Sequence, residues 1–140
     1  VTTSGSLAAV NQEIERSGGA PITMRRFRPN IVIDSDEPWA EDFWRRLQIG
    51  ATELDLVKPS DRCVVTTRDQ LTGATTGDEP PRALGTLRRS ADPRINGVLF
   101  GWNSVPRLPG PIAVGDGVEV LDHRPEGFAI HARQPSRVAP

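Results

Sequence analysis

Cysteine and histidine are scarce in this 140-residue chain, and each shortage removes a class of function. The single cysteine, Cys63, excludes a disulfide scaffold and suits a reducing cytoplasm, where we expect the protein to reside. One cysteine and two distant histidines, His123 and His131, cannot supply the four ligands of a usual structural zinc site. No GxGxxG motif follows a strand and no P-loop is present, so these two phosphate-binding motifs are excluded.

Net charge and long hydrophobic runs are also nearly absent. The net charge is -1 at neutral pH, which gives no argument for a nucleic-acid or membrane partner. We find no apolar stretch long enough to span a bilayer and no signal peptide. The length fits one domain. Because the chain begins with valine rather than methionine, we expect it to be a fragment or trimmed form of a longer protein.

The only lysine and the only cysteine stand close together in the stretch KPSDRCVVTT, residues 58–67. Turn-forming and charged residues come first, and the β-branched residues after Cys63 predict a strand. Cys63 is therefore expected at a junction of loop and strand, where a ligand can reach it. Arg62 favours the thiolate form of this cysteine, whereas Asp61 opposes it.

Three interpretations of Cys63 stay open on these residues alone. Free cysteine commonly behaves as a small buried hydrophobic side chain. A cysteine–histidine nucleophile is a weaker option, because both histidines lie far along the chain without an orienting motif. A soft thiolate can instead give one bond to a metal whose other ligands come from an organic cofactor.

Periodicity predicts a few short helices and many short strands separated by glycine and proline turns. The predicted helices cover residues 7–14, 38–47 and 80–89. The predicted strands cover residues 22–27, 30–34, 53–57, 63–67, 98–100 and 118–121. This pattern favours a mainly β domain. Residues 124–140 are rich in proline and arginine and are predicted to be loosely docked or disordered.

Five blocks of sequence, in this order, resemble the MOSC domain, the molybdenum cofactor sulfurase C-terminal type. They are residues 26–34, 39–44, 61–67, 99–103 and 114–120, which include the motifs RFRPN and DRCVVTT. Similar sequences occur in bacterial two-part MOSC proteins and in the mitochondrial amidoxime-reducing component. The resemblance implies a closed or distorted β-barrel with a few short peripheral helices. It assigns residues 1–123 to the domain and residues 124–140 to a C-terminal tail.

The resemblance also implies a molybdenum cofactor, in which a pterin dithiolene and one protein cysteine hold the metal. Cys63 matches that ligand. The implied cofactor-binding residues are Thr3, Ser4, Arg28, Asn30, Asp61, Arg62 and Asn103. The implied reaction is the reduction of small N-oxygenated substrates, with electrons from a separate redox protein. A further N-terminal β domain is expected to complete the cofactor cleft, so that these residues alone are expected to be inactive.

Two other functions remain alternatives. One is a binding module that carries the cofactor, or transfers sulfur through Cys63, without turning over a substrate. The other is a pyridoxal phosphate-binding domain, in which Lys58 is the only lysine able to form a Schiff base. The chain departs from the family pattern at Ser60, where many members carry a second cysteine. It departs again at Asp61, whose carboxylate would repel an anionic pterin.

Overall fold

A six-stranded antiparallel sheet flanked by two helices dominates the computed structural model, which describes residues 1–131. The helices are α1 (Ser4–Arg16) and α2 (Pro81–Leu87), and short 3-10 turns cover Met24–Phe27, Ala40–Phe43 and Val64–Thr67. The strands are β1 (Thr2–Thr3), β2 (Val32–Ile33), β3 (Trp44–Ile49), β4 (Thr52–Arg62), β5 (Arg89–Ser90), β6 (Val98–Leu108), β7 (Val118–His123) and β8 (Ile130–His131).

The strands of the large sheet follow the order β7-β3-β4-β6-β5-β8, and β1 and β2 form a separate parallel pair. Within residues 1–131, β7 and β8 are the two edges and do not pair with each other. The described part of the chain is therefore a mixed, strand-rich fold with an open sheet, and it does not show the closed barrel that we predicted.

Strand β4 leads the chain to Cys63. Thr52, Leu54 and Leu56 are buried, whereas Glu53 and Asp55 between them are partly exposed, which is the alternation of a sheet with one covered face. The pairing of β4 with β6 shifts register repeatedly, including a shift beside Pro59, which has no N–H to donate. Such irregularities increase twist and redirect side chains.

Two apolar clusters fill the interior. The first joins α1, α2 and the sheet, and in it the rings of Phe27 and Phe100 stack at 3.7 Å between centroids. The second lies between β3, β4 and β6 and contains Leu47, Leu56 and Trp102. The predicted helix at residues 7–14 is confirmed, although it begins earlier, because the Thr3 side chain caps it.

Two predicted strands form turns instead. Residues 22–27 contain the turn Met24–Phe27, and the residues after Cys63 form the turn Val64–Thr67. In the second turn the hydroxyl of Thr66 donates to the Cys63 carbonyl at 3.0 Å, and that of Thr67 donates to the Val64 carbonyl. These local hydrogen bonds compete with the backbone hydrogen bonds of strand pairing and override the β propensity of the two valines.

The helix predicted at residues 38–47 is also wrong. Trp39 adopts a left-handed backbone with φ 63°, which ends any regular helix, and the turn Ala40–Phe43 leads directly into β3. Trp39, Phe43 and Leu47, which are spaced four residues apart, therefore do not form one helical face, and Phe43 is 44% exposed.

Residues 124–131 pack on the sheet. The Arg124 guanidinium lies 4.0 Å from the centre of the Trp102 ring and donates to the carbonyls of Trp44 and Leu56. Phe128 meets the same indole edge-on. The rest of the predicted tail, residues 132–140, lies outside the described residues. No helix within residues 1–131 has the length and apolar character needed to cross a membrane.

Candidate functional site

A polar cavity of about 200 Å³ lies beside the end of β4. It brings together four of the predicted cofactor-binding residues, namely Arg28, Asn30, Arg62 and Asn103. They come from three separate parts of the chain: the segment before β2, the end of β4 and the middle of β6. Strand pairing explains the convergence, because β4 and β6 lie side by side and Lys58 pairs with Asn103.

Cys63 follows Arg62 directly, at the point where β4 ends, and its side chain is exposed. This exposure contradicts the interpretation of Cys63 as a small buried hydrophobic residue. Ser60 and Arg62, on the strand that delivers Cys63, line the cavity, so Cys63 directly follows a cavity-lining residue in the chain. Cys63 and Asp61 themselves are not among the residues lining the cavity.

Arg62 is held firmly in the cavity wall. Its Nε and Nη2 donate to the Phe100 carbonyl at 2.9 and 2.8 Å, and its Nη1 donates to the Phe27 carbonyl at 3.0 Å. These bonds use three of the five guanidinium N–H groups and leave two for a ligand. Burial lowers the pKa of Arg62, and the charges of Asp61 and Cys63 oppose that shift. The side chain is therefore a fixed positive charge rather than a mobile one.

Arg28 differs from Arg62 in being exposed and unpaired. Within residues 1–131 its guanidinium forms no hydrogen bond or ion pair, although Arg28 lines the cavity. Its backbone is left-handed, with φ 48° and ψ 49°. Non-glycine residues rarely adopt this conformation, and such strain is commonly found at functional sites.

Comparison with known proteins identifies the family of this chain. The MOSC domain family model matches residues 1–119. This chain belongs to the MOSC domain family. The domain is 38% identical over 126 residues to mitochondrial amidoxime-reducing component 1 of Homo sapiens, covering 86% of this chain and 36% of that protein.

Other relatives give the same result. Mitochondrial amidoxime reducing component 2 of Macaca fascicularis is 36% identical over 126 residues, covering 84% of this chain and 35% of that protein. Mitochondrial amidoxime-reducing component 1 of Xenopus laevis is 37% identical over 117 residues, covering 81% and 33%. The MOSC domain described here thus spans about a third of the length of these curated relatives.

Thr3 and Ser4, also predicted to bind the cofactor, do not line the cavity of this MOSC domain. Thr3 is fully buried, and its hydroxyl caps α1 by accepting from the Ser6 N–H at 3.1 Å. Ser4 donates to the Asp34 carboxylate at 2.8 Å. Thr2, one residue earlier, lines the cavity instead. The role of Thr3 and Ser4 in cofactor binding stays a prediction.

Lys58 and Asp61 form an exposed ion pair, with 3.6 Å between Nζ and Oδ1. The pair lies on the solvent side of β4, and neither residue lines the cavity. Asp61 therefore has a cation of its own beside it, which weakens the expected repulsion of an anionic ligand.

Several cavity residues were not predicted from the sequence. Thr2, Ser60, Trp102 and Ser104 all contribute to its wall. Strand periodicity could not identify Ser104, because the predicted strand ends at residue 100 whereas β6 continues to Leu108. Ser60 stood out only as the position where many family members carry a cysteine.

The strain at Arg28 gives a prediction for the Arg28→Gly variant. Glycine removes the left-handed penalty of about 1–2 kcal/mol, and its greater chain entropy offsets part of the gain. We expect a net stabilisation of about 0.5–1 kcal/mol in urea unfolding. Anion binding at the cavity should weaken in the same variant.

Arg25→Gly is the matched control, because Arg25 is a neighbouring exposed arginine inside the turn Met24–Phe27. Glycine there should lower the free energy of unfolding, since it only adds chain entropy. Equal losses of stability in both variants would show that Arg28 is not strained.

Proposed function

We propose that this MOSC domain binds the molybdenum cofactor and forms the cofactor-binding part of an oxidoreductase that reduces N-oxygenated compounds. The main support is the convergence of Arg28, Asn30, Arg62 and Asn103 on one polar cavity, together with the exposure of Cys63, which directly follows Arg62 in the chain. Similarity to proteins named amidoxime-reducing components supports the class of reaction.

The residues present fit an anionic cofactor rich in oxygen and nitrogen. Arg28 and Arg62 supply positive charge in a planar fork that suits phosphate oxygens. The amides of Asn30 and Asn103 can both donate and accept hydrogen bonds, as the edge of a pterin requires. A thiolate such as that of Cys63 is a soft ligand for a transition metal.

In this proposal each residue has a stated role. Cys63 gives the single protein bond to molybdenum, and Arg28 and Arg62 hold the anionic end of the cofactor. Asn30 and Asn103 orient its heterocycle. The cofactor supplies the two-electron chemistry when bound, while the chain supplies position and charge. A separate redox protein delivers the electrons, and a further β domain covers the open side of the cavity.

Metal analysis and an activity assay test the proposal. The full-length protein, made in cells that synthesise the cofactor, should contain molybdenum and reduce an amidoxime. The isolated 140 residues should fold but lose the cofactor. Each charge-assisted hydrogen bond missing from a half-site removes about 1.5–3 kcal/mol, so the absence of two weakens binding on the order of a hundredfold or more.

The outcomes separate the alternatives. A full-length protein without molybdenum that carries a persulfide on Cys63 would favour the sulfur-transfer module. Pyridoxal phosphate absorbance that is present in the wild type and disappears in Lys58→Arg would favour the pyridoxal phosphate-binding domain. Stoichiometric molybdenum and turnover from the isolated chain would show that no further domain is needed. Residence in the cytoplasm stays a prediction.

A further inference from the structure

Two consecutive carboxylates, Glu41 and Asp42, are buried on the turn Ala40–Phe43. Only 1% of Glu41 and 4% of Asp42 is exposed. Acidic side chains are almost never buried to this extent unless they have partners. The partners of Glu41 adjoin the cavity wall formed by Val1 and Thr2, and one partner of Asp42, Trp102, is itself part of another wall.

Glu41 is bonded to the start of α1. The Ser6 hydroxyl lies 2.8 and 2.9 Å from its two carboxylate oxygens, and the Thr3 hydroxyl lies 3.0 Å from Oε2. Thr3 directly follows Val1 and Thr2, which line the cavity. The carboxylate of Glu41 therefore fixes the position at which this wall joins α1.

Asp42 is bonded to the wall formed by β6. Its Oδ1 accepts from the Trp102 indole N–H at 2.9 Å, and Trp102 lines the cavity. Its two oxygens also accept from Arg88 Nη1 and Nη2, at 2.7 and 2.9 Å, in a bidentate ion pair. The backbone of Trp102 in turn exchanges hydrogen bonds with Val1, both of 2.8 Å, so the two walls are joined.

The chain enters this turn through a strained residue. Trp39 has φ 63°, a costly conformation for a bulky side chain that persists only where the surroundings enforce it. Its N–H donates to Ser6 Oγ at 2.9 Å, and the Arg88 guanidinium lies 4.4 Å from its ring centre. The start of α1 is also tightly packed, because a Cβ at Gly5 would lie only 2.6 Å from the Ser35 carbonyl oxygen.

We propose that the turn Ala40–Phe43 braces the polar cavity, with Glu41 as the positioning residue for the Val1–Thr2 wall and Asp42 as that for the Trp102 wall. A role of these residues in cofactor binding rests on the proposed function. Their role in holding the cavity walls in place does not depend on which ligand the cavity binds.

The hydroxyl partners suit Glu41 in either charge state. Burial raises the pKa of Glu41, and hydrogen bonds from its own backbone N–H and from the hydroxyls of Ser6 and Thr3 oppose that rise. A hydroxyl can donate to a carboxylate or accept from a protonated acid. Hydrogen bonding, rather than charge, is therefore what the brace requires at this position.

Glu41→Leu and Glu41→Gln distinguish these contributions. Leucine removes the acceptor, so hydrogen exchange at the amides of Trp102 and Ser6 should accelerate about tenfold or more relative to that of Gln48 in the β3–β4 hairpin. Glutamine keeps an acceptor and should hold exchange close to that of the wild type. Inorganic phosphate, used as an anion probe for the cavity, should bind Glu41→Leu more weakly than Glu41→Gln.

Ile14→Ala serves as the stability control, because Ile14 is fully buried near the other end of α1 and does not line the cavity. Global destabilisation by Ile14→Ala should accelerate hydrogen exchange at slowly exchanging amides throughout the domain, with no larger effect at Trp102 and Ser6. The proposal is overturned if Glu41→Leu matches that pattern, or if Glu41→Gln loosens the walls as much as leucine does. The exchange measurements need no cofactor, so failure of the proposed function would leave them interpretable.

Discussion

Under the proposed function, replacing Cys63 with serine is expected to remove essentially all molybdenum from the protein while leaving the fold intact. A serine hydroxyl is a hard, poorly ionised group and does not replace a soft thiolate as a metal ligand. The substitution removes little packing, because Cys63 is exposed. Its extended backbone, with φ -104° and ψ 179°, is also open to serine.

Elemental analysis of protein from cofactor-producing cells measures this effect, and circular dichroism checks the fold. Val64→Ser is the matched control, because Val64 is the next residue, is 69% exposed and also becomes serine. This control should retain its metal. Full retention of molybdenum by Cys63→Ser would show that Cys63 is not the protein ligand of the metal.

The region around Cys63 shows which parts of the site the sequence could predict. The motif identified Cys63 and its neighbours, and the structure places Cys63 at the end of a strand with an exposed thiol. A strand was predicted on each side of the cysteine: the one at residues 53–57 is confirmed and continues to Arg62, and the one at residues 63–67 is wrong. Propensity favoured Val64 and Val65 as strand residues, yet both are exposed in a turn. Tertiary context outweighs such local preferences.

The convergence of distant residues depended on information that the sequence alone does not carry. Asn30 and Asn103 lie 73 positions apart and meet only because the segment before β2 lies near the β4–β6 pair. The register of that pair shifts several times, so strand periodicity could not assign cavity-facing positions. Family resemblance supplied these residues, and periodicity would not have done so.

The buried acidic pair was missed for a physical reason. Glu41 and Asp42 fall near the start of the helix predicted at residues 38–47, where acidic residues interact favourably with the helix dipole. No local pattern distinguishes that role from burial, because the partners Ser6, Arg88 and Trp102 are remote in sequence. Only the assembled fold shows that these carboxylates are satisfied.

The second large effect is expected for Asp42→Asn, which should lower the free energy of unfolding by about 3–5 kcal/mol. The amide can still accept from the Trp102 indole, but it leaves the charge of Arg88 buried without a counter-ion. Arg88 is itself buried, and its Nε has no partner within residues 1–131, so it depends on Asp42 for compensation. Since domains are typically stable by only 5–15 kcal/mol, much of the stability would be lost.

Urea unfolding with two further variants shows whether the buried charge is the cause. Asp55→Asn breaks the partly exposed pair with Arg46, joined at 2.7 Å, and should cost far less because water screens both charges. Combining Asp42→Asn with Arg88→Met removes the uncompensated charge and should recover much of the stability lost by Asp42→Asn alone. If the double variant is no more stable than Asp42→Asn, the loss comes from packing or hydrogen bonding around Asp42 rather than from the charge of Arg88.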